Sequence, residues 1–413
     1  MSAPTREDLA RLDAADPLAA LRDAFDLPAG VIYLDGNSLG ALPRATAARV
    51  ADVVTRQWGE GLIRSWNTNG WIEAPMRVGA KIAPLIGAAP HEVVVADSTS
   101  VNLFKLVAGA LTVRPGRATI LTERGNFPTD LYMLQGIEAL FRGAVRLKAV
   151  AADDLPAAID ADVAAVVLTH VHYKSARRWP MGAITRLAHG RGALTVWDLS
   201  HSAGALAVDL NGAGADLAVG CGYKYLNGGP GAPAFAFVAE RHQAALRSPL
   251  SGWMGHAEPF AFSDAYVAAP GIRRQLCGTP AILGLAALEA GVDLFAKVDM
   301  TALEAKALAL GDRFIDLVEA RCGFAGMRLA SPREAAARGS HVAFAHRQAY
   351  AIMQALIARG VIGDFRAPDL LRFGFAPLYL RFVDVWDAVT IMREVLESRD
   401  YEHERFGAFS AVT

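Results

Sequence analysis

The sequence predicts an α/β protein in which a mostly parallel β-sheet lies between helices, followed by a smaller α+β domain. Between residues 92 and 238, short β-branched apolar runs alternate with helix-length segments. A second, shorter alternation of strand and helix patterns begins after residue 340. The chain has 413 residues, which suggests two or three domains at about 150 residues each.

Six runs in the first region are predicted to be strands, because they are apolar almost throughout, as strands buried on both faces are. They are Val93–Ala96, Ala118–Thr122, Ala164–Thr169, Ala193–Asp198, Asp216–Gly220 and Ala234–Val238. The helix-length segments between them predict crossover connections and hence parallel strands. Ligands bind at the carboxyl ends of the strands in such sheets, so residues that follow a strand are the candidates for function.

The segments outside this sheet are assigned from their patterns. Residues 1–43 predict an irregular arm, residues 45–62 a helix, and residues 249–279, which are rich in Gly, Pro and aromatics, a long crossing loop. Further helices are expected at 281–295, 300–320, 349–359 and 383–396, and strands at 341–345 and 370–375. We therefore expect an N-terminal arm at 1–50 that contributes to the small domain, a large domain at 51–280, and a small C-terminal domain at 281–413.

Composition excludes several classes of protein. The net charge of −1 provides no basic surface for nucleic acid or an anionic membrane. No apolar stretch is long enough to span a bilayer, and the N-terminus has no secretory signal pattern. The three cysteines are scattered and lack metal-ligand spacing, so we expect neither disulfides nor zinc. A cytoplasmic protein without nucleic-acid or membrane partners is predicted.

The strongest local signal is residues 220–231, GCGYKYLNGGPG, where Lys224 follows a predicted strand and is surrounded by glycines. Glycines allow the backbone to approach a bulky ligand, and a lysine held there can attack a carbonyl. The competing explanation is a tight turn with a lysine that reaches solvent.

A second signal lies 26 residues upstream, where Asp198 ends a predicted strand and His201 follows. A carboxylate at one strand end and a lysine at the next are what pyridoxal 5′-phosphate (PLP) needs, because the carboxylate keeps the pyridine nitrogen protonated. The alternative for Asp198 is a helix N-cap, a position that Ser200 could also take. By itself, His201 is more typical of a structural histidine.

The third signal is a strand, a polar turn and an apolar helix at residues 93–105. Free backbone N–H groups at the helix start, with the hydroxyls of Thr99 and Ser100, suit a phosphate group. An ordinary Ser/Thr cap is the alternative.

Three more segments, at or near predicted strands, contain candidate functional residues. Residues 123–130 provide Phe127 to stack on a ring, with Asp130 nearby. His170 and His172 alternate as metal ligands could, but no third ligand is near them, and no metal site is predicted. Arg372 lies in an apolar strand, where a substrate carboxylate or an internal Asp or Glu would pair with it.

On these residues, the chain closely resembles the kynureninases, which are PLP enzymes of the aspartate-aminotransferase-like class and the class V aminotransferase superfamily. The resemblance runs through residues 33–40, 97–103, 126–130, 197–204, 222–231 and 252–256 to Arg372. It implies PLP fold type I with a seven-stranded sheet in the large domain. It also implies hydrolytic Cβ–Cγ cleavage of L-kynurenine to anthranilate and L-alanine, through an external aldimine and a quinonoid.

The resemblance also implies the residue roles. Lys224 would form the Schiff base and move the Cα proton, Asp198 would pair with the pyridinium, and Phe127 would cover the ring. The remaining cofactor residues would be Thr99, Ser100, Asp130, Ser175, His201, Tyr223, Trp253 and Thr279. Members of the family are homodimers with shared active sites, and the Trp253 and Thr279 segments are the expected donors to the partner's site.

Tyr223, with His201 nearby, is the candidate for the proton relay during hydration and cleavage. Ser38, Trp66 and Arg372 would bind the substrate, with Arg372 on its carboxylate. If Trp66 lies against the aryl ring, its apolar indole favours L-kynurenine over 3-hydroxy-L-kynurenine. Trp66 could equally belong to the core.

Other functions fit the same fold. A cysteine desulfurase or selenocysteine lyase would need a cysteine on a mobile loop, for which Cys322 is the late candidate, and a histidine over the ring where this chain has Phe127. A class V aminotransferase is the next alternative. A PLP-fold binding protein without activity is the non-enzyme alternative, although it would have no need of Lys224.

Overall fold

The computed structural model describes residues 4–408, and its strands form four sheets. The strands are β1 (Phe25–Asp26), β2 (Ile32–Tyr33), β3 (Leu42–Pro43), β4 (Val93–Val95), β5 (Thr119–Glu123), β6 (Arg146–Val150), β7 (Val163–Thr169), β8 (Leu194–Asp198), β9 (Leu217–Gly220), β10 (Phe235–Val238), β11 (Arg328–Leu329), β12 (His341–Ala345), β13 (Val361–Ile362), β14 (Asp364–Arg366) and β15 (Leu370–Gly374).

The main sheet has seven strands in the order β4-β10-β9-β8-β7-β5-β6. Strand β10 pairs antiparallel with both of its neighbours, and the other pairings are parallel. Every residue of β4, β5, β7, β8, β9 and β10 is buried. The mostly parallel sheet and its six apolar strands are therefore confirmed.

One strand of the main sheet is absent from the predicted runs. β6 lies at the edge of the sheet beside β5, and its five residues are exposed or only partly buried. Its sequence, RLKAV, alternates polar with apolar residues, so it lacks the continuous apolar run by which the other strands were found.

The α-helices cover the sheet and build the second domain. They are α1 (Arg6–Ala14), α2 (Arg44–Asp52), α3 (Ser65–Thr68), α4 (Ala74–Ile82), α5 (Thr99–Val113), α6 (Pro128–Leu140), α7 (Leu155–Ala158), α8 (Met181–Gly190), α9 (Glu240–Gln243), α10 (Ile282–Asp293), α11 (Met300–Cys322), α12 (Ala349–Ile357) and α13 (Phe382–Ser398). The helix predicted at 45–62 is α2, which continues as a π-helical stretch over Val53–Glu60.

Neighbouring residues of one strand contribute to different hydrophobic clusters, as the pleat requires. Val196 packs in the cluster that contains α5 and α6, whereas Trp197 packs in the larger cluster that extends into the C-terminal part of the chain. The sheet is thus covered on both faces, and its strand ends remain the place where polar side chains meet.

The C-terminal part contains an antiparallel sheet in the order β11-β12-β15-β14. The N-terminal segment joins this part, since β2 pairs with β13 and the Asp13 carboxylate accepts hydrogen bonds from the first backbone N–H groups of α13. The expectation of an irregular arm was wrong at its start. Thr5 and Asp8 form a capping box that begins α1, a local signal present in the sequence.

The domain boundaries at residues 50 and 280 stay a prediction. None of the helices in residues 4–408 is both long enough and apolar enough to cross a membrane.

Candidate active site

The predicted lysine lies where the carboxyl ends of the parallel strands meet. Lys224 follows β9 by four residues, Asp198 is the last residue of β8, and Thr169 is the last of β7. Lys224 is 9% exposed, and its Nζ lies 3.1 Å from His201 Nε2. The alternative of a turn lysine that reaches solvent is wrong, because the side chain is held inside.

Two glycines, one in the Lys224 loop and one packed against it, allow close contact with the backbone of the chain itself. A Cβ at Gly222 would lie 2.4 Å from the carbonyl oxygen of Pro233, and a Cβ at Gly40 would lie 2.3 Å from the carbonyl oxygen of Lys224. The Gly40 N–H also donates to the carbonyl of Tyr223 at 2.8 Å. At these two positions the close approach is therefore made by the protein's own backbone, which holds the lysine in place.

Asp198 belongs to a buried pair of carboxyl groups. Its Oδ1 accepts hydrogen bonds from the Ser200 N–H at 2.7 Å and the Ser200 hydroxyl at 2.6 Å, so it caps a turn and not a helix. Burial, and next the Asp198 carboxylate, raise the pKa of Asp130 well above its usual value. Burial also raises the pKa of Asp198, and the Ser200 hydrogen bonds and the Lys224 charge oppose that rise, followed by the interaction with Asp130. Of the two carboxyl groups, Asp130 is thus the one whose pKa is raised well above its usual value.

Two aromatic rings flank the amine. The Lys224 Nζ lies 5.8 Å from the ring centroid of Phe127 and 5.8 Å from that of Tyr223. Phe127 is held by an edge contact with Tyr173 at 5.2 Å between centroids. Burial raises the pKa of Tyr223, so its phenol keeps its proton at neutral pH.

The two alternating histidines have separate partners. His170 Nδ1 lies 2.8 Å from the Ser202 hydroxyl, and burial lowers the pKa of His170 to about 3. His172 Nε2 lies 2.9 Å from the carbonyl oxygen of Gly125, and its Nδ1 lies 3.1 Å from the Ser175 hydroxyl. Among the residues described, no group of three or more His, Cys, Asp or Glu is arranged to hold a metal ion.

The start of α5 lines a cavity of about 440 Å³ together with Tyr223 and Thr279. Ser98 is the N-cap of this helix, a position that the prediction did not assign, and Thr99 is the first helical residue. Thr99 lines the cavity, whereas Ser100 is half-buried in the first turn. Thr279 thus lies next to the helix start of its own chain.

Lys105 forms hydrogen bonds to two segments that line this cavity. It is fully buried, and its Nζ donates to the Asp97 carboxylate at 2.6 Å and to the carbonyl oxygen of Gln275 at 2.7 Å. The bond to Asp97 holds the turn before α5, and the bond to Gln275 holds the segment that leads to Thr279. Sequence reasoning missed this residue, although a lysine inside an apolar helix was a visible signal.

Arg372 has an internal acidic partner. Its Nε donates to Asp364 Oδ1 at 2.8 Å and its Nη2 donates to Asp364 Oδ2 and to the Ser38 hydroxyl at 2.8 Å. Arg366 also donates to Asp364 Oδ2, at 2.5 Å. Burial, followed by the Asp364 charge, raises the pKa of the adjacent Asp35 to about 7. Of the two explanations considered for Arg372, the internal carboxylate is present, and Ser38 lies in the same cluster.

The remaining predicted residues lie elsewhere in the chain. Trp66 is on α3 and packs edge-on against Trp71 at 5.8 Å, and Trp253 packs edge-on against Phe260 at 5.6 Å. Neither lines the cavity beside Tyr223. His341 and Arg366 were not predicted as site residues, and they lie near Arg372 because β12 and β14 both pair with β15. Asp35, also not predicted, reaches the same strand through an isolated bridge to Gly374.

Comparison with known proteins identifies related full-length chains. A kynureninase of Burkholderia pseudomallei (strain K96243) is 54% identical over 414 aligned residues, which cover 99% of this chain and all of that protein. A kynureninase of Pseudomonas fluorescens is 52% identical over the same shares. A family model described as the kynureninase C-terminal domain matches residues 303–392.

Solved structures share the fold at low sequence identity. An apo cysteine desulfurase from Thermococcus onnurineus NA1 has a TM-score of 0.77 at 19% identity, covering 96% of this chain and 99% of that one. A mutant of C-DES with glycine covalently linked to its PLP cofactor has a TM-score of 0.75 at 16% identity, covering 95% and 99%. The predicted fold class is confirmed by these likenesses.

The position of the candidate cysteine argues against the cysteine desulfurase alternative. Cys322 is the last residue of the long helix α11 and is fully buried. Burial raises the pKa of its thiol to about 11, so the thiol is not a ready nucleophile.

Proposed function

The chain belongs to the kynureninase family, and we propose that its Lys224 site carries out the family's reaction, hydrolysis of L-kynurenine to anthranilate and L-alanine with PLP as cofactor. The observation that supports this most directly is the meeting of a buried amine, a buried carboxylate and an aromatic ring at one end of the parallel sheet, in a chain 54% identical to a full-length kynureninase.

The donor set fits PLP. Lys224 provides a primary amine for the aldehyde, and Asp198 provides a carboxylate for the pyridine nitrogen. Asp130, whose pKa is raised well above its usual value, would carry a proton and donate it in a hydrogen bond to that carboxylate. Phe127 would cover one face of the pyridine ring. The first N–H groups of α5, with Thr99, Ser100 and Tyr223, would hold the phosphate. When bound, PLP supplies an electron sink that weakens bonds at the substrate's Cα and then the Cβ–Cγ bond.

Two side chains, Lys224 and Tyr223, would carry out the proton transfers of the reaction. Lys224 Nζ takes the Cα proton, and its position is held by His201 Nε2 at 3.1 Å. The Tyr223 phenol is protonated at neutral pH and would donate its proton to the ketone oxygen as water adds to the carbonyl carbon, and the proton that the water loses would restore the phenol. Ser175 orients His172 at the rim of the site.

The substrate carboxylate is proposed to bind at the cluster formed by Arg372, Arg366 and Ser38. Two guanidinium groups share the Asp364 carboxylate, which leaves donor capacity for a second carboxylate. Asp364 thus holds Arg372 in a fixed orientation, which lowers the entropy lost when the substrate binds.

We propose a homodimer with shared sites, because two segments expose apolar side chains that a second copy of the chain would cover. Residues 54–63 expose Val54, Trp58, Leu62 and Ile63, and residues 253–267 expose Trp253, Phe260, Phe262, Tyr266 and Val267. Trp253 belongs to the second segment and Trp66 closely follows the first, so each would contribute to the partner's site. The preference for L-kynurenine that Trp66 suggests depends on this arrangement.

We also place the enzyme in the cytoplasm, since the three cysteines are unpaired, as in a reducing compartment.

The test is a fluorescence assay for anthranilate release from purified protein with PLP and L-kynurenine, run beside 3-hydroxy-L-kynurenine. We expect turnover of both and a higher kcat/KM for L-kynurenine. The Lys224→Ala variant should have no measurable turnover and an unchanged Tm, and Lys297→Ala, at an exposed lysine, is the matched control. An unmodified protein that shows the visible band of lysine-bound PLP but cleaves neither substrate would overturn the proposed reaction.

A further inference from the structure

His341 is a buried histidine with no role in the reaction as described so far. It is the first residue of β12, where it pairs with Gly374 of β15, and it is 0% exposed. Within the described part of the chain, neither of its ring nitrogens makes a hydrogen bond of ordinary geometry. Burying a polar group without such a partner is costly, so an imidazole at this place needs an explanation.

The ring next to His341 is that of His201. The two ring centroids are 5.2 Å apart, with an interplanar angle of 50°. His201 uses Nε2 to contact Lys224 Nζ at 3.1 Å, and its Nδ1 is buried without a hydrogen-bond partner. Two unpaired imidazoles thus lie side by side, and one of them contacts the reactive lysine. The two rings are neighbours without a hydrogen bond between them, so such a bond requires a change in ring orientation.

Both imidazoles are neutral. Burial, followed by Lys224, His341 and the nearby arginines, lowers the pKa of His201 well below its usual value. Burial also lowers the pKa of His341 well below its usual value. Smaller effects in the same direction come from Arg372 of β15, His172 after β7 and Lys224 after β9, in that order. A weak hydrogen bond to the His172 backbone raises the pKa of His341, but this is the smallest of these effects. A neutral imidazole has one N–H donor and one acceptor nitrogen, and its neighbours decide which nitrogen carries the proton.

We propose that His341 is a positioning residue that accepts the Nδ1 proton of His201 and leaves His201 Nε2 as the acceptor for an N–H of Lys224. No proton is gained or lost in this arrangement, since His341 only selects one of two neutral tautomers of His201. In the other tautomer, the Nε2–H of His201 would point at the Lys224 amine, where it would lie against the hydrogens of that amine. His341 therefore acts on Lys224 through His201. The link to catalysis rests on the proposed function, whereas the tautomer itself does not.

The first test is ¹⁵N NMR of histidine-labelled protein without PLP, which reports which ring nitrogen of His201 carries the proton. We expect Nδ1–H in the unmodified protein and in His341→Gln, whose amide oxygen can accept the bond, and loss of this preference in His341→Leu. The surface variant His91→Leu is the matched control. A proton on Nε2 in the unmodified protein, or an unchanged tautomer in His341→Leu, would overturn the proposal.

The second test is steady-state kinetics of the PLP-loaded enzyme with L-kynurenine. One lost hydrogen bond predicts that kcat falls about tenfold in His341→Leu with little change in KM, and that His341→Gln recovers most of the loss. An equal loss in both variants, or an unchanged kcat in His341→Leu, would contradict the positioning role. If the unmodified protein cleaves no kynurenine, the proposed function fails while the NMR result still decides the role of His341.

Discussion

At the scale of single residues, the site depends on pairs that share protons or charges. Asp130 with Asp198, His201 with Lys224, and Arg372 with Asp364 are each buried and each span more than one element of the fold. Buried ionisable groups without such partners carry a high desolvation cost. Each partner therefore influences the protonation state or the orientation of a group that, under the proposed function, would contact cofactor or substrate.

The Asp130 and Asp198 pair makes a testable prediction at this scale. Asp130→Ala removes the proton donor to Asp198 and should weaken PLP binding about tenfold or more, since a hydrogen bond to a charged group contributes about 1.5–3 kcal/mol. Asp130→Asn keeps an N–H donor and should stay within about threefold of the unmodified protein. Titration of each apo variant with PLP measures this. Equal affinities for the two variants would show that Asp130 does not act as a donor.

At the scale of elements, the start of α5, where we propose that the phosphate binds, is positioned by a contact with a residue far along the chain. Lys105 of α5 joins Asp97 to the Gln275 carbonyl, so the turn before α5 and the segment before Thr279 share one buried cation.

Lys105→Met should lower the free energy of unfolding by about 2 kcal/mol, because it removes the hydrogen bonds that the Lys105 ammonium group donates to Asp97 and to the Gln275 carbonyl. It should also weaken binding of PLP more than binding of pyridoxal, which lacks the phosphate. Urea unfolding and cofactor titration measure the two effects, with Lys297→Met as the exposed control. A stable variant with unchanged PLP affinity would refute the role of Lys105 as a tether.

The start of β9 has a second buried charge cluster. The Asp216 carboxylate accepts hydrogen bonds from Thr195 N–H and Arg241 and lies 2.7 Å from His242 Nε2 and 2.8 Å from His189 Nε2. Burial raises the pKa of Asp216, but its partners, His242 first, outweigh burial and lower it overall.

A depressed carboxyl pKa stabilises the fold above the pKa of the unfolded chain, about 3.9 for Asp, and this contribution is lost as the pH falls below that value. Asp216→Asn should therefore cost about 3 kcal/mol of unfolding free energy at pH 7, and the difference from the unmodified protein should narrow below about pH 4. Urea unfolding from pH 7 to 3 tests this. A difference that grows in acid would contradict the assignment.

At the scale of the whole molecule, the exposed apolar side chains of residues 54–63 and 253–267 predict assembly. Ile63 is 77% exposed, so a charge at this position does not disturb the core of the single chain. Ile63→Glu should shift the protein from dimer to monomer in light scattering at micromolar concentration and should lower kcat with it. Leu140→Glu, at another exposed apolar position outside both segments, is the control. A dimeric Ile63→Glu variant would place the interface elsewhere.

The sequence by itself determined the sheet and the residues at its strand ends. Apolar runs, glycines and caps are local signals, because they report burial and backbone geometry of the segment that carries them. Lys224 after β9, Asp198 at the end of β8 and Thr99 at the start of α5 were found in this way. The capping box at Thr5 was equally local and was overlooked.

Only the tertiary structure decided which side chains meet. The edge strand β6, the proton shared by Asp130 and Asp198, the pairing of Arg372 with Asp364, and the contact of His341 with His201 all depend on strand order and on the approach of the small sheet. These contacts join residues distant in sequence, and no local pattern encodes the distance between them. The physical reason is that burial constrains the residue types within each segment separately. Proton sharing and charge pairing instead require that two segments, distant in sequence, lie side by side in the fold.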